Sequence, residues 1–263
     1  MSEELYSEEF GSDENPVLIC LHGLLGSSRN WRSVARIMAE NFHVFGIDLR
    51  NHGKSFHSDE TNVDVMSRDI LEWMEKKSIP ECFLCGHSLG GKVAMRLACD
   101  RESLVKGLIV VDIAPRDYPK EHHLPTLDAL LELKLKTLLS RKEADQLLEL
   151  SIPNWAFRQF LLTNLNFDES GAFWNVNLRA LRDSMVALSS NPLGKGDFFE
   201  KPSLFVRGGR SGYVRMEHYE EILNYFPNAQ IETIDDAGHD VHVENRSVFV
   251  EKISAFLDKC LIN

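Results

Sequence analysis

No apolar run in this chain approaches the length needed to cross a membrane, so no membrane-inserted segment is expected. The opening residues, Met1-Ser2-Glu3-Glu4-Leu5-Tyr6, are acidic and lack the basic and apolar stretches of a secretory signal, so none is expected. No basic stripe interleaves with aromatics. Asp and Glu outnumber Lys and Arg by 40 to 29, a formal charge of −11, which argues against nucleic acid or an anionic membrane surface as a partner. Cysteine is sparse. Cys20, Cys82, Cys85, Cys99 and Cys260 include no second C-x-x-C pair to complete a zinc site. Cys82 and Cys85 share one apolar run, where strand positions three apart face opposite ways. The cysteines therefore read as small core residues in a reducing compartment, and a cytoplasmic location is expected. Internal repeats and low-complexity segments are missing. So is a phosphate-binding loop: Gly53-Lys54-Ser55 has its ending, but the required glycine five residues earlier is Asp48.

What is present is a chain of 263 residues, 43% hydrophobic, enough to bury one substantial core. Short β-rich runs recur at Val17–Leu21, Val44–Asp48, Cys82–Cys85, Leu108–Val111, Ser203–Val206 and Gln230–Ile234, with a weaker one near Tyr6–Phe10. Continuous apolar runs suit strands buried on both faces. Helical patterns intervene at Trp31–Glu40, Val65–Lys77, Lys92–Cys99 and Glu217–Tyr225, and a last one covers Arg246–Lys259. This alternation predicts an α/β fold with a mostly parallel sheet. Between Asp112 and Lys201 the rhythm breaks: no strand is visible, only leucine-rich helical pattern followed by Trp155, Phe157, Phe160, Phe173 and Trp174. The segment is too long for a connection and too apolar for disorder. The expected organisation is a core from residues 1–114 and 201–263, with a helical cap at 115–200 over the carboxyl edge of the sheet. The cap aromatics Trp155, Phe160 and Trp174, with Tyr213, are candidate substrate-binding residues; the alternative is that the cap aromatics form the cap's own core.

Gly86-His87-Ser88-Leu89-Gly90-Gly91 lies between a strand-like run and a helical one. G-x-S-x-G in that context is a nucleophile elbow, with small residues two positions either side of a strained serine. His22-Gly23-Leu24-Leu25-Gly26 follows the first strong strand, and the amides of Leu24 and Leu89 are the expected oxyanion hole. Ala237-Gly238-His239 follows the last strand and offers His239 as general base; His242 is a competitor on the same loop. No carboxylate stands after the strand Ser203–Val206, where Ser211 occupies the expected place. Asp112, at the end of Leu108–Val111, is therefore the candidate acid, with Ser211 as a fourth member bonded to the Asp112–His239 pair. The alternative for Asp112 is a cap on its own turn, and Asp236 and Asp240 are rival acids too near His239 in sequence.

These segments, with Asp48-Leu49-Arg50-Asn51-His52-Gly53, Val111-Asp112-Ile113-Ala114-Pro115 and Gly208-Gly209-Arg210-Ser211-Gly212-Tyr213-Val214, resemble those of the α/β-hydrolases. The resemblance is strongest to the YbfF-type bacterial esterases and their animal mitochondrial relatives. It implies an α/β-hydrolase fold with the cap inserted after the family's sixth strand. It implies a serine, an aspartate and a histidine at Ser88, Asp112 and His239, with a serine near them at Ser211. The expected activity is hydrolysis of carboxylic esters or thioesters of short to medium acyl chains, with no metal and no organic cofactor. Rival activities on the same scaffold are C–C bond hydrolysis, lactone hydrolysis and cofactor-free lyase chemistry, or a silent binding scaffold.

Overall fold

The computed structural model describes residues 4–262. Nine strands occur in it: β1 (Ser7–Phe10), β2 (Val17–Leu21), β3 (His43–Ile47), β4 (Cys82–His87), β5 (Val105–Val111), β6 (Leu165–Asp168), β7 (Gly171–Trp174), β8 (Ser203–Gly208) and β9 (Ala229–Ile234). Seven form one sheet in the order β1-β3-β2-β4-β5-β8-β9, parallel except for β1 at the edge. Every residue of β3 and β4 is buried, because helices cover both faces, whereas β1 and β9 at the two edges are only half-buried. Cys82 and Cys85 sit on opposite faces of β4, in separate apolar clusters.

One face packs against the helices Arg32–Met38 and Arg246–Ile262, through Val34, Ala35, Phe249 and Ile253. The other packs against Val63–Lys76 and Leu89–Asp100, through Met66, Ile70, Val93 and Met95, and its apolar cluster runs on into Leu127, Leu161 and Leu181 of the segment between β5 and β8. That segment follows the fifth strand of this chain, where the family's count makes it the sixth. It holds the short helices Leu124–Leu131, Arg141–Leu148, Trp155–Leu162, Leu178–Asp183 and Met185–Ser189. It is not all helical as expected: β6 and β7 pair antiparallel as a separate hairpin. Asp168 accepts from the Ser170 amide in the turn, and Gly171 takes φ +114°, a conformation glycine adopts without penalty. The parallel strands all end on one side, and the loops after β2, β4, β5, β8 and β9 gather there, as ligand sites in open α/β sheets do.

Candidate active site

β4 ends at His87 and the next helix begins at Leu89, so Ser88 alone turns the chain, at φ 50° and ψ −115°. A non-glycine residue holds so uncommon a conformation only when its surroundings fix it. Here the Ser88 amide donates to Val111 C=O at 3.0 Å, and the Ser88 carbonyl accepts from the Lys92 amide at 3.1 Å. The flanking glycines allow the tight approach: a Cβ on Gly86 would stand 2.2 Å from Gly90 O, and one on Gly90 2.4 Å from Leu21 O.

Asp112 follows β5, beside the elbow. Its side chain is fully buried and both its oxygens accept hydrogen bonds. Oδ1 accepts from the Gly208 amide at 3.0 Å, while Oδ2 accepts from the Ser211 hydroxyl and from His239 Nδ1–H at 2.7 Å. None of these donors belongs to the turn after Asp112, so the carboxylate is not acting as a local cap. Neither rival acid bonds the His239 ring: Asp236 accepts from Asn245, and Asp240 lies 3.9 Å from His87 Nε2. Tyr213 stacks on the His239 ring with centroids 3.9 Å apart and planes 17° from parallel. With Nδ1 committed to Asp112, Nε2 is the nitrogen available to a proton on Ser88.

The turn after β2 is braced by two histidines. His22 Nδ1–H donates to Gly23 C=O at 2.8 Å and its Nε2 accepts from the Leu49 amide at 3.0 Å. His52 Nδ1–H donates to Arg50 C=O at 2.9 Å and its Nε2 accepts from the Leu25 amide at 3.2 Å. Each ring must stay neutral to keep its acceptor nitrogen, and burial lowers their pKa values to about 4 for His22 and about 3 for His52. The turn lies hard against the elbow: a Cβ on Gly23 would be 2.8 Å from His87 Nδ1 and 3.3 Å from Ser88 Cβ. Among the described residues, the amides of Leu24 and Leu89 donate to no protein acceptor. Two fixed, unclaimed N–H groups beside a serine are what a developing oxyanion needs.

Ser88 and His239 line one cavity of about 190 Å³ with Leu24, Phe157, Phe160 and Tyr213. A recess of about 30 Å³ also borders Ser88, between Leu24, Leu89, Lys92, Ile113, Met185 and Leu188. Phe160 and Tyr213 therefore stand where expected, but Trp155 and Trp174 line neither space. Trp155 opens its helix pointing outward, 63% exposed, and Trp174 ends β7 opposite Leu165. A larger groove of about 410 Å³, near Tyr6, Phe56 and Trp73, shares no residue with the site.

Two participants escape the sequence motifs. His123 borders both spaces, and burial lowers its pKa to about 4. Lys92 is buried, and Nζ donates to the carbonyls of Leu188, Ser189 and Ser190 at 3.2, 2.7 and 2.6 Å, one acceptor for each ammonium proton. Its place one helical turn past Ser88 was the readable signal for a residue on the same face. His242, the competitor on the His239 loop, is buried and stacked on Trp31 at 4.4 Å, and it borders the same cavity as Ser88 and His239. Among the described residues, no group of three His, Cys, Asp or Glu side chains is arranged to hold a metal ion.

Residues 16–246 match the family model described as alpha/beta hydrolase fold. The chain belongs to the α/β-hydrolase family. This α/β-hydrolase is 36% identical over 250 residues to the sn-1-specific diacylglycerol lipase ABHD11 of Mus musculus, spanning 92% of this chain and 81% of that protein. It is 28% identical over 247 residues to Esterase YbfF of Escherichia coli K12, spanning 93% and 94% of the two chains. A solved structure titled marine microorganism esterase superposes with a TM-score of 0.94 at 33% identity, covering 97% of this α/β-hydrolase and all of that chain.

Proposed function

We propose that this chain is a serine esterase that cleaves carboxylic esters or thioesters of short to medium acyl chains, with Ser88 as nucleophile, His239 as general base and acid, and Asp112 as the orienting carboxylate. The single observation that carries the reading is convergence: an elbow serine, a histidine bonded at 2.7 Å to a fully buried carboxylate, and the unclaimed Leu24 amide border one cavity, and the unclaimed Leu89 amide borders the recess that shares Ser88 and Leu24 with it. Similarity to proteins named esterase and lipase supports the same class.

In this mechanism His239 Nε2 takes the Ser88 proton as Oγ attacks the carbonyl carbon. The carbonyl oxygen becomes an oxyanion held by the Leu24 and Leu89 amides. Collapse breaks the bond to the leaving alcohol or thiol, which receives the proton from His239. Water then attacks the acyl-enzyme with His239 again as base, and the carboxylic acid departs. Asp112 holds Nδ1–H in place and balances the imidazolium. Ser211 stands as fourth member, donating to the same carboxylate oxygen. Residues 115–200 act as the cap over the site. The chemistry draws on no metal or organic cofactor, and its partner is a small-molecule ester. The cytoplasmic setting is supported by five free cysteines, with Cys20 and Cys85 adjacent in register yet not joined by a disulfide.

The test is hydrolysis of a p-nitrophenyl ester series by the wild type and by folded Ser88→Ala. Turnover and fluorophosphonate labelling are expected in the wild type and absent in the variant. No turnover of any ester and no labelling of Ser88 would refute the reading.

A further inference from the structure

The two spaces bordering Ser88 differ in which parts of the machinery they touch. His239 borders the 190 Å³ cavity and not the 30 Å³ recess, whereas Leu24 borders both and Leu89 only the recess. A general acid must deliver its proton to the leaving oxygen, so the leaving group lies on the His239 side. The oxyanion faces the two amides. The third substituent of the tetrahedral carbon, the acyl chain, is left with the recess.

The recess is small, and its chemistry is one-sided. A water-sized group occupies at least about 10–15 Å³ measured in this way, so the recess holds about two such groups beyond the carbonyl carbon. Ile113, Met185 and Leu188 wall it, and all are buried. Two of its polar neighbours are already committed. Lys92 Nζ donates to three carbonyls, while the Tyr118 hydroxyl donates to Tyr213 C=O at 2.9 Å and accepts from the Ala114 amide at 3.0 Å. A carboxylate on the acyl chain would meet the His123 ring and the Ser189 and Tyr213 hydroxyls but no uncommitted ammonium, at the cost of most of its hydration. The larger cavity has room for a bulkier group, with Phe157 and Asp240, both exposed, and His122 and Thr126 at its border.

We propose that this site selects its ester by direction, taking a short acyl group without a charged substituent, such as acetyl or propanoyl, in the recess and a larger alcohol or thiol in the larger cavity. The inference rests on the esterase reading above. It makes Met185 and Leu188 the residues that set acyl length.

Hexyl acetate and ethyl hexanoate separate direction from size, because they are isomers with the same carbon count. The wild type is expected to hydrolyse hexyl acetate with kcat/KM at least tenfold above that for ethyl hexanoate. Met185→Ala is expected to narrow that ratio at least threefold by deepening the recess, and Leu188→Val gives the same readout if the first variant does not fold. A wild-type ratio near one or reversed overturns the inference, as does a ratio unchanged in the folded variant. Hydrolysis of p-nitrophenyl acetate, with Ser88→Ala as control, runs alongside. Turnover there with the wrong isomer preference overturns only the direction of binding; no turnover there removes the esterase reading and this inference with it.

Discussion

Asp112 joins three separate segments through one carboxylate: β8 by the Gly208 amide, the loop after β8 by Ser211, and the loop after β9 by His239. An amide at this position would present an N–H to His239 Nδ1–H or force the other tautomer, with the wrong nitrogen toward Ser88. Asp112→Asn is therefore expected to lower kcat by roughly 10⁴, the cost of such a substitution in a serine–histidine–aspartate site. Ser211→Ala removes one donor and leaves two, and the loss should be about tenfold or less, in line with ~1.5 kcal/mol for a hydrogen bond to a charged group. Steady-state kinetics on both folded variants checks the order; near-wild-type turnover by Asp112→Asn would sink the acid assignment. These residues were legible because each stands at the carboxyl end of a strand, in a chain order that fits one site. His22 and His52 were not, because each ring accepts from a backbone amide 27 residues away, a pairing no periodicity or local motif encodes.

The strands of the main sheet were legible as apolar runs. Val17–Leu21 was bounded correctly, and β3, β4, β5 and β8 within a few residues, because strands covered on both faces must be continuously apolar; half-buried β9 at the edge was also found, through Ile231 and Ile234. The hairpin of β6 and β7 was missed. Its strands have four residues each and lie outside the main sheet, so Leu165-Asn166-Phe167-Asp168 offers too little alternation to stand out from its helical neighbours. The link between the inserted segment and the core was not legible, since the spacing of Lys92 from Ser88 gives its helix face but not the distant carbonyls it meets. Its ammonium meets the carbonyls that close the helix Met185–Ser189, the end of a helix that favours positive charge. Lys92→Met would leave three carbonyls short of a donor and remove that charge, at a cost of ~3 kcal/mol. Limited proteolysis of the variant should then cut first within residues 115–200, and faster than in the wild type. An unchanged cutting rate there would show that apolar packing alone holds the segment down.

Across the whole molecule, buried histidines make folding sensitive to acid. Burial holds His22, His87 and His123 at about 4 and His52 at about 3, below the ordinary 6.5, and His242 is lowered as well. The unfolded chain therefore binds more protons than the folded one between about pH 6.5 and 4, and stability present above 6.5 is lost as pH falls through that window. A second effect opposes it. The chain carries a formal charge of −11, and acid relieves that self-repulsion. The two separate in a variant that changes one histidine and leaves the acidic residues alone. His52→Gln keeps an acceptor within reach of the Leu25 amide but cannot take up a proton. Its urea midpoint is expected to fall less steeply than that of the wild type between pH 6.5 and 4.5, whatever its offset at pH 7.5. Parallel profiles would mean that His52 does not contribute to the acid sensitivity. A shallower profile would tie the acid limit of the fold to the brace that positions the Leu24 amide, so that activity and stability fail together on the acid side.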